Sequence, residues 1–175
     1  MARFRRERQP GACYFFTVVT ERRQRILLEP DMRAALREAA AAVRRERPFA
    51  IDGWVLLPDH LHAIWTLPEG DADYAMRWHE IKRRVTRAMG HRYFRAAWHS
   101  ASYAAKGCGT LWLHRYWEHR IRDEADFAAH LDYVHFNRSS MVLSPWRRHG
   151  RIRRFTVTSA PDAIQSIGVG TRSAG

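Results

Sequence analysis

FAIDGWVLLPDHLHAIWTL, residues 49–67, contains the clearest strand and turn signals of the chain. It holds two runs rich in β-branched and aromatic residues, which favour strands, on either side of a Pro58-Asp59 pair, which favours a turn. Two strands joined by so short a link pair as a hairpin. The sequence therefore predicts antiparallel strands over residues 49–57 and 60–67.

The segments on both sides of this hairpin extend the pattern. Asp31 and Asp123 suit helix N-caps, and Pro48 suits the end of the first helix. The predicted order is β-α-β-β-α-β-α, with strands over residues 13–20, 49–57, 60–67 and 111–122 and helices over residues 31–47, 74–89 and 124–137. This order predicts an α+β fold of the ferredoxin-like (RRM-like) kind, an antiparallel sheet with two helices on one face, to which a C-terminal helix is added.

The expected domain organisation is simple. A single domain is predicted over residues 1–150, with its core at residues 12–138, and a basic, flexible tail over residues 151–175. No apolar run approaches the ~20 residues that a membrane span requires. The only two cysteines, Cys13 and Cys108, fit a reducing compartment and exclude a zinc site built from cysteines.

The charge of the chain suggests a polyanionic partner. The net charge is +12, and 28 of the 30 basic residues are arginine. Residues 1–47 carry twelve basic and six acidic groups, residues 138–175 carry seven and one, and the segment between them is balanced. Arginine presents a planar fork of donors that matches phosphate oxygens, so a nucleic acid is the natural partner. The alternative is that arginine serves general solubility.

The two histidines of the hairpin share a face. In a strand, side chains alternate with period 2, so His60 and His62 lie on one face and Leu61, Ala63 and Trp65 on the other. The second set is the predicted core. The two imidazoles, with Cβ atoms roughly 6–7 Å apart, could hold one divalent ion. The alternative is a histidine pair on a half-solvated sheet face.

A second cluster lies in the last predicted helix. Tyr133 and Asn137 are four residues apart and therefore stack on one helix face. A tyrosine hydroxyl can act as a nucleophile, and an asparagine carbonyl is a hard oxygen ligand suited to Mg²⁺ or Mn²⁺. The alternative is a tyrosine at the rim of the core with its hydroxyl in water.

Together, these clusters resemble a known family. The chain follows FxIxxWVxLPxHxHxIW from residue 49 and RxWEHxIRxxxDFxxHxDYxxxN from residue 115. From about residue 13 to residue 137 it resembles the REP-associated tyrosine transposases, within the HUH single-tyrosine superfamily. The resemblance implies that His60, His62 and Asn137 hold Mg²⁺ or Mn²⁺. It also implies that Tyr133 cuts single-stranded DNA at a REP-type hairpin, leaving a 5′-phosphotyrosine and a free 3′-OH.

The resemblance carries further expectations. A monomer is favoured, a dimer is open, and the expected location is the bacterial cytoplasm at the nucleoid. Phosphate contacts are expected from arginines at the two ends of the chain and on the second helix: Arg3, Arg5, Arg6, Arg83, Arg84, Arg147 and Arg148. Asn137 is followed by Arg-Ser-Ser-Met, where the family usually continues differently.

Two other functions stay open from the sequence. One is a protein that binds nucleic-acid hairpins on the same fold without cutting them. The joint presence of both histidines, the tyrosine and the asparagine favours the enzyme over such a binder. The other is a metal-dependent hydrolase, which needs a further carboxylate, and Glu118 and Asp132 are the candidates.

Overall fold

Four strands form one antiparallel sheet in the computed structural model, which describes residues 8–99, 104 and 109–136. The strands are β1 (Cys13–Val19), β2 (Ala50–Leu56), β3 (His60–Thr66) and β4 (Trp117–Arg120), in the order β2-β3-β1-β4. The helices are α1 (Pro30–Glu46), α2 (Tyr74–Tyr93) and α3 (Glu124–Phe136). The predicted α+β architecture and its element order are confirmed.

The hairpin predicted over residues 49–67 is present. Leu56 pairs with Leu61 at its tip, and the Leu57 N–H donates to the His60 carbonyl at 2.8 Å. The turn is anchored to the segment after β1, because the Thr20 N–H donates to the Asp59 carbonyl at 3.0 Å. This hydrogen bond fixes the position of the turn and therefore of His60, the first residue of β3.

The main core lies between one sheet face and helices α1 and α2. Leu61, Ala63 and Trp65, predicted as core from strand alternation, are fully buried. The Trp65 ring stacks on Trp78 of α2 at 4.2 Å between centroids, with an interplanar angle of 17°. Packed indoles of this size bury large apolar areas, so this contact accounts for much of the attachment of α2.

A buried arginine ties the start of α2 to the end of α1. Arg77 is 1% exposed, and its guanidinium donates to both Asp71 carboxylate oxygens, at 3.1 and 2.7 Å. It also donates to the Pro48 carbonyl at 2.8 Å. A buried charge is tolerated only when its donors are satisfied, as they are in this network.

Helix α3, the predicted additional C-terminal helix, covers the opposite sheet face. A smaller core of Cys13, Phe15, Val55, Ile64, Ile121 and Val134 lies beneath it. Gly53 permits the close approach, since a Cβ at this position would lie 3.3 Å from Ile64 Cδ1 and 3.5 Å from Leu131 Cδ1 of α3. The Asp126 N–H donates to Asp123 Oδ1 at 2.9 Å, which confirms the predicted cap.

Three predicted boundaries were wrong. Helix α1 begins at Pro30 after Glu29, so Asp31 lies in the first turn and binds Arg92 at 2.8 Å. Helix α2 continues through Gly90 to Tyr93, because one helical glycine costs only about 1 kcal/mol. Strand β4 starts at Trp117, not residue 111: the apolar residues before it are buried in an irregular segment.

None of the helices in the described part of the chain is both long and apolar enough to cross a lipid bilayer. The predicted domain boundary at residues 150 and 151 lies outside the described residues.

Candidate active site

The two histidines of β3 lie on the sheet face covered by α3. Their ring centroids are 5.0 Å apart, with an interplanar angle of 82°. His62 is 4% exposed and therefore buried, not half-solvated as expected for a plain sheet face. His60 lies nearer to solvent, with its side chain 20% exposed. The pair thus consists of one buried imidazole and one that is partly exposed to solvent.

His62 has one satisfied and one unsatisfied ring nitrogen. Its Nδ1 lies 2.9 Å from Thr17 Oγ1, whereas its Nε2 is buried and has no hydrogen-bond partner among the described residues. Burial, assisted by the nearby His60, lowers the pKa of His62 to about 4, so the ring is neutral at pH 7. A neutral imidazole with an unpaired buried nitrogen fits a metal ligand, because such a nitrogen otherwise costs about 1–3 kcal/mol.

His60 is oriented by a carboxylate. Its Nδ1 lies 2.6 Å from Asp59 Oδ1, and Arg23 Nη1 donates to Asp59 Oδ2 at 3.1 Å. Partial burial raises the pKa of Asp59, but the bonds from His60 and Arg23 outweigh it and the net shift is downward. An ionised carboxylate only accepts, so His60 Nδ1 donates and Nε2 is left for a ligand. Such outer carboxylates typically orient metal-binding histidines.

Tyr133 lies beside this pair. Its ring centroid is 5.1 Å from that of His62, with an interplanar angle of 68°, and the side chain is 50% exposed. Helix α3 therefore brings a solvent-accessible phenol to the buried imidazole. His62 and Tyr133, which lie far apart in the sequence, therefore meet on one sheet face.

Two of the other predicted site residues lie on α2, which packs against the opposite face of the sheet. Arg83 binds Glu80 and Arg84 binds Glu46, each at 2.6 Å, on α2 across the sheet. Their DNA contacts stay a prediction. Asn137 and five of the seven arginines lie outside the described residues: Arg3, Arg5, Arg6, Arg147 and Arg148.

Neither of the two carboxylates suggested for a hydrolase joins the histidine pair in the part of the chain that the structure describes. Glu118 pairs with Phe16 in the sheet and therefore faces the main core, away from His62. Asp132 is exposed on α3. Among the described residues, neither acid joins His60 and His62 in a group of three metal-ligating side chains.

A second group of titratable side chains was missed from the sequence. His119 of β4 and Asp126 and His130 of α3 place ligand atoms within 4.8 Å of one another and could also hold a metal. His119 Nε2 lies 2.9 Å from Asp126 Oδ2, and His130 Nδ1 lies 2.8 Å from the Asp126 carbonyl. Partial burial acts to raise the pKa of Asp126, but chiefly the bond from His119 lowers it. The i, i+4 spacing of Asp126 and His130 was a visible signal.

Phe15 connects the two groups. The centroid of its ring lies 5.2 Å from the ring centroid of His62 and 4.7 Å from that of His130. The Tyr133 ring meets it edge-on at 6.1 Å. An aromatic residue in a strand normally indicates core, so nothing in the sequence marked Phe15 as a neighbour of the site.

Known proteins resemble the chain over most of its length, although no family model matches it. A REP-associated tyrosine transposase of Escherichia coli (strain K12) is 40% identical over 137 residues, 78% of this chain and 72% of that protein. A protein of Haemophilus influenzae (strain ATCC 51907 / DSM 11121 / KW20 / Rd), assigned to the same family, is 35% identical over 78% of this chain and 76% of its own length.

A solved structure shares both the fold and the sequence. It is that of a REP-associated tyrosine transposase bound to a REP hairpin. It superposes with a TM-score of 0.61 at 40% identity, covering 78% of this chain and 72% of that one.

Proposed function

Since the chain belongs to the family of REP-associated tyrosine transposases, we propose that it cuts and rejoins single-stranded DNA at REP-type hairpins with a tyrosine nucleophile. The reaction depends on a divalent metal, Mg²⁺ or Mn²⁺. The observation that carries the proposal is the contact between an exposed phenol and a buried, half-satisfied imidazole, Tyr133 against His62.

In this proposal, His60 and His62 would hold the metal through their Nε2 atoms, and Asn137, four residues after Tyr133 in the sequence, would add an oxygen ligand. The bound ion supplies positive charge that polarises the scissile phosphate. Asp59 and Thr17 hold the two rings in orientation through the opposite nitrogens. A ligand pair oriented in advance loses little entropy when the ion binds.

Tyr133 carries the covalent step. Its Oη attacks the phosphorus, forming the Oη–P bond, and the bond between phosphorus and O3′ breaks. The phenol proton passes to water, and the departing O3′ takes up a proton to become a free 3′-OH. The phosphate stays esterified, so the 3′-OH of another strand can reverse the step without ATP.

The hairpin substrate is supported by the related transposase bound to a REP hairpin and by the net charge of +12. Arginine-rich ends would contact phosphates and give binding that weakens with salt. The bacterial cytoplasm, at the nucleoid, is where such DNA lies, and a monomer is the favoured state.

A labelled hairpin with a 5′ single-stranded tag tests the proposal. With Mg²⁺ or Mn²⁺, the wild-type protein should form a DNA adduct that survives denaturation, and Tyr133→Phe should form none. Tyr116→Phe, which removes a phenol hydroxyl on the main-core side, is the matched control and should behave as wild type. Binding without cleavage by wild type and Tyr133→Phe alike would instead indicate the hairpin binder. Cleavage that persists in Tyr133→Phe would indicate a hydrolase.

A further inference from the structure

We propose that the indole of Trp117 is a stacking site for a nucleobase of the single strand next to the scissile phosphate. This inference rests on the proposed function, because it names a residue that would hold the same substrate. It concerns a residue of the edge strand β4 that neither the metal nor the nucleophile uses.

Trp117 lies on the active face of the sheet. It pairs with Thr17 of β1, which in turn pairs with His62 of β3. Directly opposed residues of an antiparallel sheet point to the same side, so all three side chains share a face. Trp117 is 54% exposed, and the other described tryptophans are buried or half-buried. An indole this exposed leaves a large apolar surface in water.

The indole is held in place by a row of rings. Trp117 and His119 are parallel, with centroids 5.9 Å apart and an interplanar angle of 5°. His119 stacks in turn on His130 at 4.8 Å and 18°. Asp126 fixes both imidazoles through contacts of 2.9 and 2.8 Å, the second to its carbonyl oxygen. A base that stacks on Trp117 would extend this row, and the indole has already lost much of its rotamer freedom.

The position relative to the nucleophile limits which base is bound. Phe15 meets Trp117 edge-on at 5.9 Å and Tyr133 edge-on at 6.1 Å. Through Phe15, the indole is therefore two ring-to-ring steps from the attacking phenol. Even at the duplex spacing of ~3.4 Å per nucleotide, about four nucleotides cover the distance from the Trp117 ring through Phe15 to the Tyr133 ring. The stacked base thus belongs to the single-stranded tag or its junction with the hairpin.

The chemistry of the site predicts tolerance of base identity. Every nucleobase has a π face, so stacking on an indole depends little on which base is bound. Trp117 should therefore contribute affinity and register, while sequence preference comes from other contacts.

The test uses a hairpin with 2-aminopurine placed in turn at each tag position, with metal chelated so that no cleavage occurs. Wild-type protein should quench the probe at one or two adjacent positions. Trp117→Ala should lose this quenching and bind roughly 5- to 150-fold more weakly, the range for loss of one stacked base. Trp117→Phe should retain part of both effects. Phe94→Ala removes an exposed ring, 47% accessible, at the end of α2 and should match wild type.

The outcomes separate this inference from the proposed function. If Trp117→Ala remains folded by thermal unfolding and both binds and quenches like wild type, the stacking site is refuted, whether or not the wild type forms an adduct. If wild type forms no covalent adduct but Trp117 still governs quenching and affinity, the stacking site stands and the nucleophile proposal falls.

Discussion

Thr17 offers a test of the histidine pair that leaves both histidines in place. Its hydroxyl lies 2.9 Å from His62 Nδ1. The change Thr17→Val keeps the β-branched shape that suits a strand and removes only this contact. The ring of His62 then loses the side-chain partner of its Nδ1 and keeps a backbone interaction with Phe16, so it is held less firmly. We expect weaker metal binding without loss of the nucleophile.

The expected magnitude follows from two estimates. One neutral hydrogen bond contributes about 0.5–1.5 kcal/mol, or roughly 2- to 13-fold in affinity. Loss of an outer partner of a metal-bound histidine typically costs about 10- to 100-fold. The two ranges overlap near tenfold. The Kd for Mn²⁺ should therefore rise about tenfold, and the free energy of unfolding without metal should fall by about 0.5–1.5 kcal/mol, because one hydrogen bond is lost.

Calorimetric titration with Mn²⁺ measures the first effect, and the cleavage rate at increasing Mn²⁺ measures its consequence. The half-saturating Mn²⁺ concentration should shift, while the rate at saturation returns to the wild-type level. Thr66→Val is the matched control, since the Thr66 hydroxyl bonds Asp52 at 2.7 Å and no histidine. If Thr17→Val binds Mn²⁺ like wild type, or if saturating Mn²⁺ fails to restore its rate, Thr17 does not act by orienting His62.

Three further outcomes are expected. The double variant His60→Ala/His62→Ala should lose Mn²⁺ binding in calorimetry while His119→Ala keeps it; the reverse result would place the metal at the second group. Arg77 holds the pKa of Asp71 below its usual range in the folded protein. Asp71 therefore adds stability above about pH 4, and this stability is lost as the pH falls through the lowered pKa. The gap in urea stability between wild type and Asp71→Asn should therefore shrink on acidification, and a constant gap would contradict this. Burial raises the pKa of Cys13 to about 12. In a variant with Cys108→Ser, iodoacetamide at pH 8 should therefore label Cys13 only after unfolding. Rapid labelling of the folded protein would contradict the burial of Cys13.

Strand periodicity made much of the site predictable. Alternation along β3 placed His60 and His62 on the face opposite Leu61 and Trp65, because period-2 geometry holds wherever one face is packed. Helical spacing likewise placed Tyr133 on the last helix. The burial of His62 could not be predicted, since it depends on α3 covering the face.

The remaining features depend on tertiary contacts. His119 meets Asp126 and His130 only because the sheet order sets β4 beside β1 under the first turns of α3. Leu111 and Trp112 are buried, and their apolar pattern is the one that a strand would show. The backbone around them is nevertheless irregular, apart from a single β-bridge between Trp112 and Thr20, the residue after β1. Apolar alternation alone does not distinguish a packed loop from a strand.

The proposed function depends most directly on a covalent bond between Tyr133 and the 5′ phosphate of the cut DNA. The direct measurement is peptide mass mapping of the adduct, formed with oligonucleotides labelled on either side of the scissile phosphate. Trypsin should release residues 123–138, in which Tyr133 is the sole tyrosine. We expect a phosphotyrosine on this peptide that carries the 3′-side label, together with a free 3′-OH on the other fragment. An adduct on another peptide, or one carrying the 5′-side label, would contradict it.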